Sequence, residues 1–277
     1  MRVFVAGGSG VLGQRLVSQL VARGHQVTAT TMTGAKLRVL AELGAWPVVM
    51  DGLDGVWVGE AVAMAQPEAI VHQMSAMPMS PARLGTKHLD RCLTQTNRLR
   101  TEGTDHLLSA AQATGVSHVV ARSHVSCDGI HRNDAEAAAI RHVEDVVVEA
   151  GGAALRYGGL YGPGIDDDRA ETPRKWRFPL VASNRFWVHL DDAASATVLA
   201  VERRAEGVFD IVDDEPAQAR AWLPYLARCA GAKRPGRVPA GQGAKAVVGR
   251  SNARAKRELG WQLRYPSWRQ GSTEERA

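Results

Sequence analysis

The segment Met1 to Thr31, MRVFVAGGSGVLGQRLVSQLVARGHQVTATT, restricts this chain to a narrow set of folds. Arg2 to Ala6 is a short β-branched and aromatic run, the composition of a buried strand. A glycine-rich stretch, Gly7 to Gly13, follows at once. Leu12, Leu16 and Leu20, with Val17 and Val21, then recur at helical spacing. Gly24 stands where a helix C-terminus favours positive φ, and Gln26 to Thr31 reads as a second strand. Strand, glycine turn, helix and strand within about 30 residues form the βαβ unit of a dinucleotide-binding fold.

The glycines have a chemical reason. A diphosphate settles on a helix N-terminus only where the backbone comes close enough for its N–H groups to donate. A side chain at Gly10 would block that approach, and one at Gly13 would push the helix off the strand. The spacing fits Gly8-x-Gly10-x-x-Gly13 and also Gly7-x-x-Gly10-x-x-Gly13. A bare glycine pattern marks only a turn, but between strand and helix it predicts nucleotide binding. The end of the second strand bears on which nicotinamide cofactor is bound. An NAD site usually places Asp or Glu there, on the ribose 2′-hydroxyl. Here no acidic residue occurs before Glu42, and Thr30, Thr31, Thr33 and Lys36 supply hydroxyls and a cation. A carboxylate would repel a 2′-phosphate, so the pattern favours NADP(H).

Strand and helix signals then alternate. Ala35 to Leu43 reads as a short helix, Trp46 to Met50 as a third strand ending at Asp51, Ala61 to Ala65 as helix and Glu68 to Met74 as a fourth strand. Pro78 and Pro81 mark a loop. Leu93 to Thr114 reads as one long helix, Ser117 to Ala121 as a fifth strand, Ala135 to Ala150 as helix and Ala153 to Tyr157 as a sixth strand. The alternation predicts an α/β fold, a Rossmann-type doubly wound parallel sheet. Residues 1–160 would form the dinucleotide-binding domain, and 161–277 a smaller C-terminal substrate lobe interleaved with it.

Charge and cysteine content narrow the function classes. Net charge is +5, densest at Arg250 to Arg257, where no aromatic residues are interleaved for base stacking; a polar helix start is expected there, not a nucleic-acid site. No apolar run reaches the 18 or so residues of a membrane span, and Met1 leads straight into the first strand, so a cytoplasmic protein is expected. Cys92, Cys127 and Cys229 are odd in number and far apart, which suggests neither a disulfide framework nor a zinc site.

With these motifs in order, the chain resembles the atypical and extended short-chain dehydrogenase/reductases, the NAD-dependent epimerase/dehydratase-like group. The likeness rests on GGSGVLG at Gly7 to Gly13, Asp51, VHQMSA at Val71 to Ala76 and TNRLRTEGTDHLLSAA at Thr96 to Ala111. LRYGGLYGPG at Leu155 to Gly164, VHLDDAASA at Val188 to Ala196 and RELGWQLRYPSW at Arg257 to Trp268 extend it over nearly the whole chain. Its texture is similar to actinobacterial members, including ketoreductases of aromatic polyketide pathways such as that of simocyclinone. The resemblance implies that Gly7, Ser9, Gly10, Val11, Leu12 and Gly13 hold the diphosphate. Asp51 would face the adenine, and Met74, Ser75 and Ala76 would line the adenosine and nicotinamide ribose. Tyr157, Gly158, Gly159 and Leu160 would border the nicotinamide ring.

One departure stands against these agreements. Family members usually carry Tyr-x-x-x-Lys, the tyrosine acting as general acid. Four residues after Tyr157, Tyr161, Tyr225 and Tyr265 stand Tyr161, Ile165, Cys229 and Arg269, so this chain has no such pair. Placing Glu144 on the glutamate that usually follows the lysine puts Glu136 and Ile140 at the two catalytic positions. The serine or threonine position after strand five falls near His124, flanked by Ser123 and Ser126. His124 is a candidate proton donor because imidazole titrates near neutrality. Ser123, Ser126 or Tyr161 would orient a carbonyl, although Tyr161 in Tyr-Gly-Pro-Gly is equally a structural turn. His72 reads as a satisfied core histidine. His189, Asp191 and Asp192 read as a helix start with Asp191 as its cap, not as a metal site.

The stretch after Gly162 concentrates aromatic residues: Trp176, Phe178, Phe186 and Trp187. They predict either contact with a flat substrate or packing under a loop. Asp166 to Asp168 read as solvated loop carboxylates. The sequence therefore leads to an NADPH-dependent ketoreductase acting on a small, aromatic polyketide-like ketone, with no metal and with neither nucleic acid nor membrane as partner. Its proton would come from the substrate itself, through a phenolic hydroxyl beside the ketone. A sugar-nucleotide epimerase or dehydratase, and a non-enzymatic NADP(H) sensor, are the alternatives. Nothing in the pattern sets an oligomeric state.

Overall fold

The computed structural model describes residues 1–77, 86–125, 134–165, 186–217, 221–222 and 250–274. Trp176, Phe178, Ser126 and Asp166 to Asp168 lie outside them. Strands β1 (Arg2–Ala6), β2 (Gln26–Thr31), β3 (Trp46–Val49), β4 (Ala69–His72), β5 (Val119–His124), β6 (Ala153–Tyr157) and β9 (Gly207–Ile211) form one sheet in the order β3-β2-β1-β4-β5-β6-β9. Every pairing in it is parallel. The order reverses direction at β1/β4, and ligands in such sheets bind beyond the carboxyl ends of the strands at that point. β7 (Gly159–Tyr161) and β8 (Trp187–His189) pair apart from it.

Burial follows strand alternation. Val3, Val5, Val71, Val120, Leu155 and Tyr157 face α1 (Val11–Ala22) and α7 (Leu190–Glu202), which pack on each other. Phe4, Ala6, Ile70, Val119 and Ala121 face the other layer, containing α3 (Gly55–Ala65), α5 (Glu102–Thr114) and α6 (Asp134–Glu149). The strands buried on both faces read as near-continuous apolar runs for this reason.

Most expected elements occur at their places, including the helix-ending Gly24, whose φ is +82°. The helix expected from Leu93 to Thr114 is instead two, α4 (Thr86–Arg100) and α5. Thr101 breaks it at ψ −82°, its hydroxyl donating to the Asn97 carbonyl at 3.1 Å. The third strand begins as expected but stops at Val49, one residue short. α2 (Leu37–Glu42) is preceded by a 3₁₀ turn at Gly34–Lys36. Residues beyond 160 do not form a spatially separate block, because α7 and β9 return to the main sheet. α8 (Ala253–Leu259) packs beside β9, and α9 (Trp268–Glu274) beside β8.

A buried carboxylate ties the C-terminal segment down. Asp192 accepts from the backbone N–H groups of Arg264 at 2.8 Å and Tyr265 at 2.9 Å, and its carbonyl accepts from the Trp261 indole at 3.1 Å. The cap of α7 is His189, whose Nδ1 accepts from the Asp191 N–H at 3.1 Å. This corrects the expectation that Asp191 caps the helix: Asp191 lies inside the first turn.

Candidate active site

The glycine turn is tightened from both sides. The Gly7 N–H donates to the Thr30 hydroxyl at 3.0 Å, and the Gly10 N–H to the Gly7 carbonyl at 3.2 Å. A Cβ on Gly13 would lie 2.4 Å from the Gly7 oxygen and 2.7 Å from the Gly8 oxygen. A Cβ on Gly7 would lie 2.8 Å from the Gln73–Met74 backbone. Gly10 differs, since its Cβ would meet only the Gly7 oxygen at 3.4 Å. Space is therefore left open at Gly10 and closed at Gly13. Helix α1 has no side-chain cap and no acidic residue in its first turn, so the N–H groups of Val11, Leu12 and Gly13 suit an anion. These features fit the diphosphate of a dinucleotide. Val11 also lies 3.4 Å from where a Gly164 Cβ would stand, which brings the Gly162–Gly164 turn over this end of α1.

The end of β2 carries no carboxylate. Thr31 uses its hydroxyl in a local turn with Thr33, while Lys36 is exposed on the following 3₁₀ turn. Asp51, past β3, accepts from the Leu53 N–H at 2.9 Å. Met74 is buried against Gly52, Ser75 caps the Met77 N–H at 3.2 Å, and the Ala76 N–H donates to the Thr96 hydroxyl at 3.1 Å. Gly158 and Gly159 permit the close approach of β8. The Gly159 N–H donates to the Phe186 carbonyl at 2.7 Å, and Leu160 packs against the core of the α1 face.

The candidate acid residues separate onto opposite faces. Alternation from Val120 puts Arg122 and His124 on the α1/α7 face, and Ser123 on the α6 face. Ser123 is buried there, its hydroxyl donating to Glu144, which Arg156 clamps through two further bonds. Ser123 therefore points away from the face that carries His124. His124 is exposed at the end of β5, in register with Tyr157 on β6. Tyr161 is 2% exposed, edge-on to Trp187 and His189, with its hydroxyl against Ser267 and Gly271. Phe186 packs with Val125 and Val212, and Trp187 with Tyr161 and Trp222, so both are buried in the C-terminal part. His72 is the core histidine expected, with Nε2 to the Leu99 carbonyl and Nδ1 to the Met74 N–H; burial lowers its pKa to about 4.

At the two positions where the resemblance expects tyrosine and lysine, α6 presents Glu136, 3.7 Å from Arg100, and Ile140, buried in the core. Tyr157 is buried and its phenol is committed elsewhere. Thr197 gives its proton to the Ala193 carbonyl at 2.7 Å, so it accepts from Tyr157 at 2.7 Å, and Tyr157 in turn accepts from Gln73 Nε2 at 3.0 Å. Burial pushes the Tyr157 pKa up. Gln73, one residue past β4, and Arg122, within β5, are functional candidates that the motifs do not single out. A glutamine inside VHQM and an arginine inside VVARS were the signals available.

Comparison with known proteins agrees with this geometry. A family model described as NAD(P)H-binding matches residues 7–157. A Streptomyces 3-diazoavenalumate denitrifying reductase is 37% identical over 98% of this chain and 99% of its own. A Stigmatella aurantiaca ketoreductase, acting on 4-hydroxy-2-methyl-3-oxo-4-farnesyl-3,4-dihydroquinoline-1-oxide, is 27% identical over 84% of this chain and 74% of its own. Among solved structures, the UDP-glucose 4-epimerase of Thermotoga maritima superposes with a TM-score of 0.75 at 20% identity, covering 98% of this chain and 96% of that one. The last likeness speaks for the fold alone. The family match over more than half of the chain and the end-to-end reductase relative make this chain a member of the NAD(P)H-binding family, an NAD(P)-dependent reductase of the atypical short-chain dehydrogenase/reductase group.

Proposed function

We propose that this reductase uses NADPH to deliver hydride to a small aromatic electrophile without a general acid of its own. The observation that carries this reading is the replacement of the tyrosine and lysine by Glu136, paired with Arg100, and the buried Ile140. Ser123 and Tyr161 are both engaged in packing and bonding away from the crevice. The bound nicotinamide supplies the hydride. The chain cradles the diphosphate at Gly7 to Gly13, and Lys36 is the cation available to a 2′-phosphate.

An acceptor that needs no proton suits such a site. In an arenediazonium, hydride forms a new C–H bond while the C–N bond breaks, its electron pair leaving with dinitrogen, so no proton is required. The name of the Streptomyces relative, a denitrifying reductase of a diazo compound, supports this acceptor. A phenol-flanked ketone is the second acceptor; the names of two further relatives, a ketoreductase and a 2-alkyl-3-oxoalkanoate reductase, support carbonyl reduction. Its phenolic hydroxyl would protonate the alkoxide. Incubation with NADPH deuterated at C4 and each acceptor tests the reading, with label expected on the acceptor carbon. His124→Ala should lower kcat less than tenfold. General acid catalysis is worth about 10²–10⁴-fold, so a fall of about a thousandfold or more, with cofactor affinity intact, would identify His124 as an acid and overturn the proposal.

A further inference from the structure

Three polar side chains meet on one face at the carboxyl ends of the central strands. Continuing the β4–β5 register beyond His72 opposite Ala121 sets Gln73 beside Arg122, and Tyr157 lies one strand further on. Gln73 is 4% exposed. The relay through Tyr157 and Thr197 to the Ala193 carbonyl fixes its amide orientation, because every proton along it is already assigned. Nε2 must donate, so Oε1 is the free end. Among the described residues that oxygen has no donor.

Arg122 shows the complementary deficiency. It is partly buried, and among the described residues it makes no ion pair or hydrogen bond. Burial lowers its pKa from the ordinary guanidinium value, and Arg100, also a cation, lowers it further. Arg156, one strand over, already has Glu144. A guanidinium withdrawn from water without a counter-ion is costly, as is a buried amide oxygen without a donor. One ligand relieves both if it carries an anionic oxygen and a neighbouring O–H or N–H. Arg100 has Glu136 at 3.7 Å, so one guanidinium is left to a ligand here, which matches a monoanion such as a carboxylate.

We propose that Arg122 and Gln73 form a substrate-recognition pair, selecting small aromatic acids with a hydroxyl or amino group beside the carboxylate. The proposal rests on the reductase reading for its substrate, but its test needs no turnover. Protein saturated with NADP⁺ is titrated with 3-hydroxy-2-naphthoate, 2-naphthoate and 3-hydroxy-2-naphthamide, following ligand fluorescence. The hydroxy acid should bind about tenfold or more tighter than either analogue. Arg122→Gln should abolish the preference for acid over amide, Arg122→Lys should keep part of it, and Gln73→Leu should abolish the preference for the hydroxyl. Circular dichroism and NADP⁺ affinity should stay unchanged in all three. Equal binding of acid and amide by the unsubstituted protein would overturn the proposal. A parallel loss of NADP⁺ affinity in Arg122→Gln would also overturn it, assigning the guanidinium to the cofactor. Failure of the reductase reading would show as absence of deuterium transfer while these binding preferences persisted.

Discussion

Gly10 and Gly13 differ in a way that lets cofactor binding be separated from folding. Gly10 is the N-cap of α1, with φ −72° and ψ 167°, an extended conformation open to any residue, and an added Cβ would touch only the Gly7 oxygen at 3.4 Å. Aspartate is a favoured N-cap, and its charge lies at the positive end of the helix. Gly10→Asp should therefore leave the fold unharmed or stabilise it by up to about 1 kcal/mol, about 2–4 °C in Tm for a chain of this class. The same carboxylate would oppose the diphosphate and displace it from the N–H groups, each bond to a charged group being worth about 1.5–3 kcal/mol, so NADPH affinity should fall at least about a hundredfold. Gly13→Ala is the counterpart. Its Cβ would meet backbone oxygens at 2.4 and 2.7 Å, which no side-chain rotation can relieve, so α1 must move by about an ångström. We expect a loss of about 2–3 kcal/mol or more. Thermal denaturation and fluorescence titration with NADPH read both variants. Unaltered affinity in Gly10→Asp would remove the diphosphate from this turn, and a Tm lowered by several degrees in that variant would refute the open space at Gly10.

Further expectations follow from other sites. Burial lowers the His72 pKa from 6.5 to about 4, so the unfolded chain binds that proton more readily. The stability contributed by the neutral ring is full above pH 6.5 and is lost as pH falls through that window, by about 3 kcal/mol at its low end. Urea denaturation of the protein and of His72→Gln across that range should show the slope shrinking in the variant; an identical slope would refute the assignment. Asp192→Ala leaves the Arg264 and Tyr265 N–H groups without their acceptor and should cost about 2–4 kcal/mol in urea denaturation. A loss under 0.5 kcal/mol would show that the clamp carries little. Lys36→Ala should narrow the preference for NADPH over NADH by about two- to fivefold; equal affinities in the unsubstituted protein would overturn the 2′-phosphate reading.

The legibility of the chain tracked the length and regularity of each physical signal. The opening βαβ unit was readable because strand composition, glycine spacing and helical period agree within Arg2 to Thr31. The break at Thr101 was not, because it uses neither glycine nor proline: a threonine hydroxyl bonds back to Asn97 while the apolar period continues across it. Strands β7 and β8 have three residues each, too few for periodicity to register. Strand β9 was missed because its identity depends on pairing with β6, some fifty residues earlier in the chain. At the site, spacing located the glycine turn and the missing tyrosine and lysine. It did not reveal which face of β5 each residue takes, and that alternation separates Ser123 from His124 and brings Arg122 beside Gln73.

The pairing of β6 with β9, and of Asp192 with Arg264 and Tyr265, has a consequence for biogenesis. At translation rates of about 5–20 residues per second, the opening βαβ unit leaves the ribosome roughly 10–50 s before the residues that Asp192 holds. Once made, β6 keeps an unpaired edge for roughly 3–10 s, until β9 emerges about fifty residues later, and α7 lacks the Trp261 indole for longer still. An apolar strand edge of this kind is a template for pairing with another chain. The nascent protein therefore passes through a stage with its nucleotide cradle formed and its far sheet edge open, and yield should depend on how quickly β9 arrives.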